Sequence, residues 1–275
     1  TCREKQMEIN PAEVKKNVMV IGGGISGMEA TRVLVQRGHN VDLYEKTDAL
    51  GGAFIPASSM SFKQADRELI HWYIRQMDKL GVNVHMNTKV TKELIDAENP
   101  DEIICATGSG ARALSGIQGI ETIPVINAIE ALTKQKPIGE NVVIIGGGLT
   151  GIELGYDLTL QGKKVEVIEM KDKILDMPDL CAANAQMLGQ IIKHYKIRVH
   201  TSASLVKFED GNVYFTVNGS EKCAKADTVI ISIGYISNKN LYDSLKQYGD
   251  KIHLIGDADK VSNLLNATWS AYELA

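Results

Sequence analysis

Residues 18–27, Val18-Met-Val-Ile-Gly-Gly-Gly-Ile-Ser-Gly27, run through an amphipathic segment to Val41-Asp-Leu-Tyr-Glu45. An apolar run, a glycine turn, a helical pattern and a second apolar run ending in an acid read as strand, tight turn, helix and strand. Gly22 allows the turn, and Gly24 lets a pyrophosphate approach the backbone. Gly27 lets the helix pack closely on the strand, and Glu45 can hold an adenosine ribose hydroxyl. The anion would lie over free N–H groups at the helix start, where the dipole favours negative charge.

One Gly-x-Gly-x-x-Gly is a common pattern, but this one recurs. Gly146, Gly148, Gly151, Glu153 and Glu169 lie 124 positions after Gly22, Gly24, Gly27, Glu29 and Glu45. Two gap-free copies, each with its strands and its terminal acid, point to a protein that binds two dinucleotides. The expected fold class is therefore α/β, with two Rossmann-like dinucleotide-binding domains.

A length of 275 residues allows two domains at about 100–200 residues each. The net charge of −4 argues against a nucleic-acid or membrane-surface role. No apolar run approaches the roughly 20 residues needed to span a bilayer, and no signal peptide is recognisable. Cys2, Cys105, Cys181 and Cys223 form no Cys-x-x-Cys, so a reducing cytoplasm is the expected setting. A flavin reductase that passes electrons to a disulfide needs two nearby cysteines, and this spacing lacks them. The six histidines show no metal-ligand spacing, and no metal is expected. The start at Thr1 suggests a fragment of a longer protein, although trimming would look the same.

Along the chain, residues 1–15 read as a polar lead-in with an Asn10-Pro11 turn. Leu50-Gly51-Gly52 is a glycine loop close to the expected ligand, or simply a turn. Leu69, Ile70, Tyr73, Ile74, Met77 and Leu80 give residues 64–80 an apolar helical stripe that belongs to a core. Residues 82–86 alternate as a strand. Glu102-Ile-Ile-Cys-Ala106 is another strand, with Cys105 a small buried hydrophobe, and it runs into Thr107-Gly108. Asp227-Thr-Val-Ile-Ile-Ser-Ile-Gly234 repeats that strand-to-glycine pattern. Between them, 109–139 is a changeover region. Residues 180–195 look helical, and strands near 197–200, 204–208 and 212–217 suggest a small antiparallel element. A last strand, His253-Leu-Ile-Gly-Asp257, precedes a helix from about Asn263. This return implies a discontinuous first domain, 16–112 plus 250–275, with 113–249 inserted.

In this order, the first glycine fingerprint, Leu50-Gly51-Gly52, Ala106-Thr107-Gly108, the second fingerprint and Gly256-Asp257 resemble the two-dinucleotide-binding flavoprotein reductases. The Asn10-Pro11 lead-in and the tail from Gly256 to Ala267 are similar to the C-terminal half of 2-enoate and 2,4-dienoyl-CoA reductases, with trimethylamine dehydrogenase a more distant relative. The resemblance covers nearly the whole chain. It implies an N-terminal flavin-mononucleotide TIM barrel of the Old Yellow Enzyme type and a 4Fe-4S cluster, both outside these residues. NADH would reduce FAD, and electrons would pass through the cluster to the barrel FMN, which reduces an activated C=C bond. The family's last cluster cysteine falls where this chain has Met7. Cys2 lies five residues earlier, and one cysteine cannot hold a cluster.

By resemblance, Gly22, Gly24, Ser26 and Gly27 cradle the FAD pyrophosphate, and Glu45 holds its ribose. Gly51, Gly52, Thr107 and Gly108 line the flavin or ADP portion. Asp257 matches the acid that bonds the ribityl chain, alternatively a capping or turn acid. Asn266-Ala267 match the helix start near the flavin pyrimidine edge. In the second unit Gly146, Gly148, Thr150 and Gly151 hold the NADH pyrophosphate, with Gly234 in the matching glycine position. Glu169 accepts ribose hydroxyls and repels a 2′-phosphate, which favours NADH over NADPH, while Lys171 softens that preference. Glu153 is assigned to the nicotinamide carboxamide as the catalytic-site acid; its alternative is a first-turn acid stabilising the helix N-terminus. The partners implied are NADH and the N-terminal barrel, with no nucleic acid or membrane, and an oligomer is compatible with the sequence. Two other readings stay open: a free-standing NADH oxidase or ferredoxin reductase, and an ADP-binding structural module.

Overall fold

Val18, Val20, Leu43 and Ile104 face one apolar cluster, whereas Met19, Ile21, Tyr44, Ile103 and Cys105 face another. That alternation is the two-residue period of strands buried on both sides, as a parallel sheet requires. The computed structural model describes residues 7–275.

In chain order the elements begin with β1 (Asn17–Ile21), α1 (Ile25–Gln36), β2 (Asn40–Tyr44), the short α2 (Phe54–Ala57), α3 (Gln64–Lys79) and β3 (Asn83–His85). There follow α4 (Lys92–Glu98), β4 (Glu102–Cys105), β5 (Ser109–Ala111), β6 (Val125–Asn127) and α5 (Ala128–Leu132). The second repeat supplies β7 (Asn141–Ile145), α6 (Leu149–Leu160) and β8 (Lys164–Ile168). Beyond it lie α7 (Ala182–His194), β9 (Arg198–His200), β10 (Ala203–Glu209), β11 (Asn212–Val217), β12 (Ser220–Lys225) and β13 (Thr228–Ile231). The chain ends through β14 (Tyr235–Ser237), α8 (Asn240–Ser244), β15 (Ile252–Leu254) and α9 (Leu264–Leu274).

Two compact units form. The first comprises the chain up to Ile55, Gln64–Gly110 and Ser237–Ala275; the second comprises Pro56–Lys63 and Ala111–Ile236. The division departs from the boundaries read from sequence chiefly at two places. Residues 237–249, expected in the inserted domain, belong to the first unit, where Leu245 is fully buried with Ile103, Cys105 and Ile252. Pro56–Lys63 is counted with the second unit because Met60 is 2% exposed in its core.

The first unit carries a parallel sheet in the order β15-β4-β1-β2-β3, and the second a parallel sheet in the order β6-β13-β7-β8-β9. In each, the chain winds outward from the central strand on one side and then resumes on its other side. The crevice at the carboxyl end of β1, and likewise of β7, is thus the switch point where α/β sheets take ligands. The second unit's sheet is faced on one side by α5, α6 and α7 residues such as Ile152, Leu158 and Leu188. Its other side packs on Phe208, Val213, Phe215 and Ala224 of the antiparallel β10-β11-β12 meander.

Two details differ from the sequence reading. Residues 198–200 join the parallel sheet beside β8 rather than the antiparallel element. The third meander strand is the charged Ser220–Lys225, whose outward residues hide its strand character while Ala224 alone is buried. The changeover region also holds β6 and α5, the latter started by an Asn127/Glu130 capping box. Among the described residues no helix is long and apolar enough to cross a membrane.

Candidate cofactor sites

Both glycine turns have the geometry their spacing requires. Gly22 sits at φ +115° directly after β1, and a Cβ there would fall 2.3 Å from the Ala106 carbonyl oxygen. A Cβ at Gly27 would fall 1.9 Å from the Gly22 oxygen, so the helix can approach the turn only with glycine there. Gly24 is different: a Cβ there would meet nothing within 4 Å. It caps α1 without a side-chain hydrogen bond, and the first helical bond is Met28 N–H to Gly24 O at 2.9 Å. The N–H groups of the first turn therefore have no intrahelical acceptor and no side-chain cap, and room is left beside Gly24, which suits a pyrophosphate.

Glu45 is buried beside this turn, and its place is fixed. Its Oε2 accepts from the Gly23 N–H at 2.8 Å, and its Oε1 accepts from the Thr47 N–H and hydroxyl, each at 2.8 Å. A carboxylate has about four acceptor positions, so three are used and one accepts no bond among the described residues. Gly51 N–H donates to Gly23 O at 2.8 Å, and a Cβ at Gly52 would lie 3.1 Å from the Gly24 Cα. The second glycine loop is thus laid directly on the first.

The chain's return completes the rim of the first unit. A Cβ at Gly256 would fall 2.1 Å from Ser26 Oγ, and Gly256 N–H donates to Ser270 Oγ at 3.1 Å. Asp257 accepts from Ser109 Oγ and from Ser262 N–H, both at 3.1 Å. Thr107 donates its hydroxyl to Asn238 O at 2.7 Å, and Gly108 O accepts the Asn238 N–H at 2.9 Å. Their visible task is to hold the returning segment. Asn263 caps α9 by accepting the Asn266 N–H at 3.0 Å, which places Asn266 and Ala267 in its first turn. Cys105 beneath is fully buried, and burial pushes its thiol up to about 12.

The second unit repeats this plan. Gly146 has φ +112°, and the Cβ positions of Gly146 and Gly151 would lie 2.2 Å from Ser232 O and 2.1 Å from Gly146 O. Gly148 caps α6 without a side-chain bond, and Thr150 lies in its first turn. Glu169 accepts the Gly147 N–H at 2.6 Å and the Lys171 N–H at 2.8 Å. The Lys171 ammonium is turned to Asp176, at 3.1 Å from its carboxylate and 3.0 Å from its carbonyl. Gly234, at φ +94°, accepts the Arg112 N–H through its carbonyl at 2.9 Å.

Glu29 and Glu153 share a repeat position but not a setting. Glu29 is buried and held bidentately by Arg32 Nε and Nη2, both at 2.8 Å. That bond raises the Arg32 pKa, and burial, with Glu29, raises that of Tyr73. Glu153 instead meets the Lys63 ammonium at 2.8 Å. It is the fifth residue of α6, whose first turn contains no acid, so the first-turn alternative does not describe it. No periodicity or motif in its segment marks Lys63 in the sequence. Cys2 lies outside the described residues. Among those described, no group of three or more His, Cys, Asp or Glu could hold a metal ion.

Two parallel sheets, each with an uncapped glycine turn at its switch point and a tethered glutamate at the next strand end, define an FAD/NAD(P)-binding oxidoreductase module. The chain belongs to the pyridine nucleotide-disulphide oxidoreductase family, which it matches over residues 16–253. It is 42% identical over 99% of its length to cinnamate reductase of Clostridium sporogenes, covering 41% of that protein. It is 32% identical over 98% of its length to NADH oxidase of Thermoanaerobacter brockii, covering 42% of it. Among solved structures, 2-naphthoyl-CoA reductase superposes with a TM-score of 0.90 at 30% identity, covering 98% of this chain and 40% of that one. The chain therefore spans about two fifths of the length of the relatives it matches. A thioredoxin reductase of T. acidophilum shares the fold over 95% of both chains, with a TM-score of 0.69 at 18% identity.

Proposed function

We propose that this chain is the NADH-oxidising, FAD-binding electron-input module of a larger flavoenzyme that reduces activated C=C bonds. The observation that carries the reading is the doubled turn, in which Gly24 and Gly148 each cap a helix with no side chain while Glu45 and Glu169 are fixed beside them. The likeness to cinnamate reductase and 2-naphthoyl-CoA reductase supports the substrate class.

The first-unit N–H groups from Gly24 to Gly27, with Ser26, would hold the FAD pyrophosphate, and Glu45 its ribose. Gly51, Gly52, Thr107 and Gly108 would line its course, Asp257 would take the ribityl chain, and Asn266 and Ala267 the pyrimidine edge. FAD, when bound, supplies a hydride acceptor that releases electrons singly. In the second unit Gly146, Gly148, Thr150 and Gly151 would hold the coenzyme pyrophosphate. Glu169 would accept the ribose hydroxyls and repel a 2′-phosphate, so NADH is preferred to NADPH. The engagement of Lys171 by Asp176 supports that preference. Glu153 would orient the nicotinamide carboxamide, with Lys63 fixing its charge. A 4Fe-4S cluster and an FMN barrel are assigned to an N-terminal part of the whole protein, and the cytoplasm to its setting.

The test is the visible spectrum of the chain with FAD, before and after anaerobic NADH. Retained yellow colour that bleaches faster with NADH than with NADPH supports the reading. A folded chain that binds ADP and refuses flavin refutes it.

A further inference from the structure

Segment 56–63 is gripped by one face of α6. Glu153 and Asp157 are four residues apart on that helix and so lie on the same side. Asp157 is 8% exposed, and its Oδ1 accepts both the Ser61 N–H at 2.9 Å and the Ser61 hydroxyl at 2.6 Å. Its Oδ2 accepts from Gln161 Nε2 at 2.8 Å, so both oxygens are engaged. One turn earlier, Glu153 meets Lys63, two residues beyond Ser61. Met60 is buried beneath the segment, and Ser59 Oγ donates to Leu132 O at 3.0 Å.

These bonds have unequal roles. Lys63 is a flexible side chain with a point charge, so its contact with Glu153 does not by itself fix the backbone of the segment. The Ser61 pair does, because one of its donors is the backbone itself. A charge-assisted bond from a main-chain N–H fixes the segment's register in a way that an ammonium contact does not.

We propose that Asp157 is a positioning residue: by binding Ser61 it sets the register in which Lys63 meets Glu153. The proposal rests on the assignment of Glu153 to the nicotinamide. Asp157 itself touches neither coenzyme nor flavin in this scheme. It acts through Lys63 on the orientation and charge of the Glu153 carboxylate, so its loss should slow hydride transfer more than it weakens coenzyme binding.

The test uses the full chain and two readouts. Without cofactor, amide hydrogen exchange of residues 56–63 should rise about tenfold or more in Asp157→Ala, since a charge-assisted bond to a buried acceptor is lost. Asp157→Asn should restore protection, because its Oδ1 still accepts both Ser61 donors. Glu153→Gln should leave the Ser61 amide protected. With FAD bound, Asp157→Ala should lower the flavin reduction rate at saturating NADH by about tenfold, with the NADH dissociation constant within about twofold. Asp157→Asn should recover most of the rate. A Lys63→Met, Asp157→Ala double variant should be no slower than the slower single variant.

Unchanged exchange in Asp157→Ala, or a Ser61 amide exposed equally by Glu153→Gln, overturns the proposal. So does an unchanged reduction rate where Glu153→Gln itself is slow, or rate losses that multiply in the double variant. If Glu153→Gln reduces flavin normally, the nicotinamide role of Glu153 fails separately, and the exchange result still decides whether Asp157 sets the register. Should Asp157→Ala not fold, Ser61→Ala removes one of the two bonds and must show the same pattern at smaller amplitude.

Discussion

Leu175 donates its backbone N–H to the carbonyl of Gly147 at 2.8 Å, in the place where Gly51 donates to Gly23 at the same distance 124 positions earlier. The duplication therefore reaches beyond the glycine turns into the loops laid over them. The loops have diverged in composition: Gly51-Gly52 in the first unit corresponds to Leu175-Asp176 in the second. Leu175 accepts a left-handed φ of +58° to keep the bond. The first loop puts no side chain within 4 Å of where a Gly24 Cβ would be, whereas the second brings Asp176 to Lys171 and the Met177 sulfur to 4.0 Å from where a Gly148 Cβ would be.

Coenzyme choice should follow from that second loop. Hydrogen bonds to a charged acceptor are worth about 1.5–3 kcal/mol, so Glu169→Ala should cut kcat/KM for NADH roughly 10- to 100-fold. NADPH, which gains nothing from Glu169, should lose far less. Asp176→Asn should raise NADPH use by only a small factor, since the Lys171 pair is more than half exposed. Steady-state kinetics with both coenzymes check this, and equal losses for NADH and NADPH in Glu169→Ala would contradict it.

Gly22 and Gly24 should separate stability from binding. Gly22→Ala forces a side chain into φ +115° and against the Ala106 carbonyl, and should cost about 3 kcal/mol or more. Gly24→Ala meets nothing in the protein, so its thermal transition should hardly move while affinity for FAD and ADP falls. Thermal melting beside titration with ADP distinguishes the two; a Gly24→Ala chain that binds ADP normally would remove the pyrophosphate from that turn.

The sequence carries this much because glycine is demanded by backbone geometry and an apolar strand by burial on both faces. Gly22, Gly27 and their repeats, β1, β2, β7 and β8, and the returning β15 and α9 were all readable for that reason. What escaped was set by contacts far apart in sequence. The neutralisation of Glu29 is local, by Arg32 one helical turn on, but Tyr156 stands at that place after Glu153, whose partner Lys63 lies 90 positions earlier and is marked by nothing near either residue. Thr107 reads as a ligand-side residue, yet its hydroxyl proton is used by Asn238. The capture of Pro56–Lys63 by the second unit depends on one methionine and two serines in a stretch without periodicity.

Thr31 should be a removable defect. Its Oγ1 is buried on α1 with no hydrogen-bond partner among the described residues. An orphaned buried hydroxyl costs about 1–3 kcal/mol, and valine has the same shape without it. Thr31→Val should therefore stabilise the chain by about 1 kcal/mol, seen as a higher melting temperature. A lower one would mean that a water or ligand satisfies the hydroxyl in solution.

Acid should loosen the returning strand β15 through Glu102. Burial raises the pKa of this carboxyl, but bonds from Lys16 at 2.5 Å and His253 at 2.9 Å outweigh it, and the net shift is downward. A carboxylate with a depressed folded pKa stabilises the fold above its unfolded value, about 4.3 for glutamate. That contribution is lost as pH falls through the folded value. Because His253 lies on β15 and Glu102 on β4, protonation releases a bond across that ladder. Glu102→Gln should be less stable than the parent at pH 7, and the two should converge as pH drops below about 4. Denaturant unfolding across pH 3–7, with hydrogen exchange at residues 252–254, reads both effects. A constant gap between the two proteins at every pH would show that Glu102 acts by packing rather than by charge.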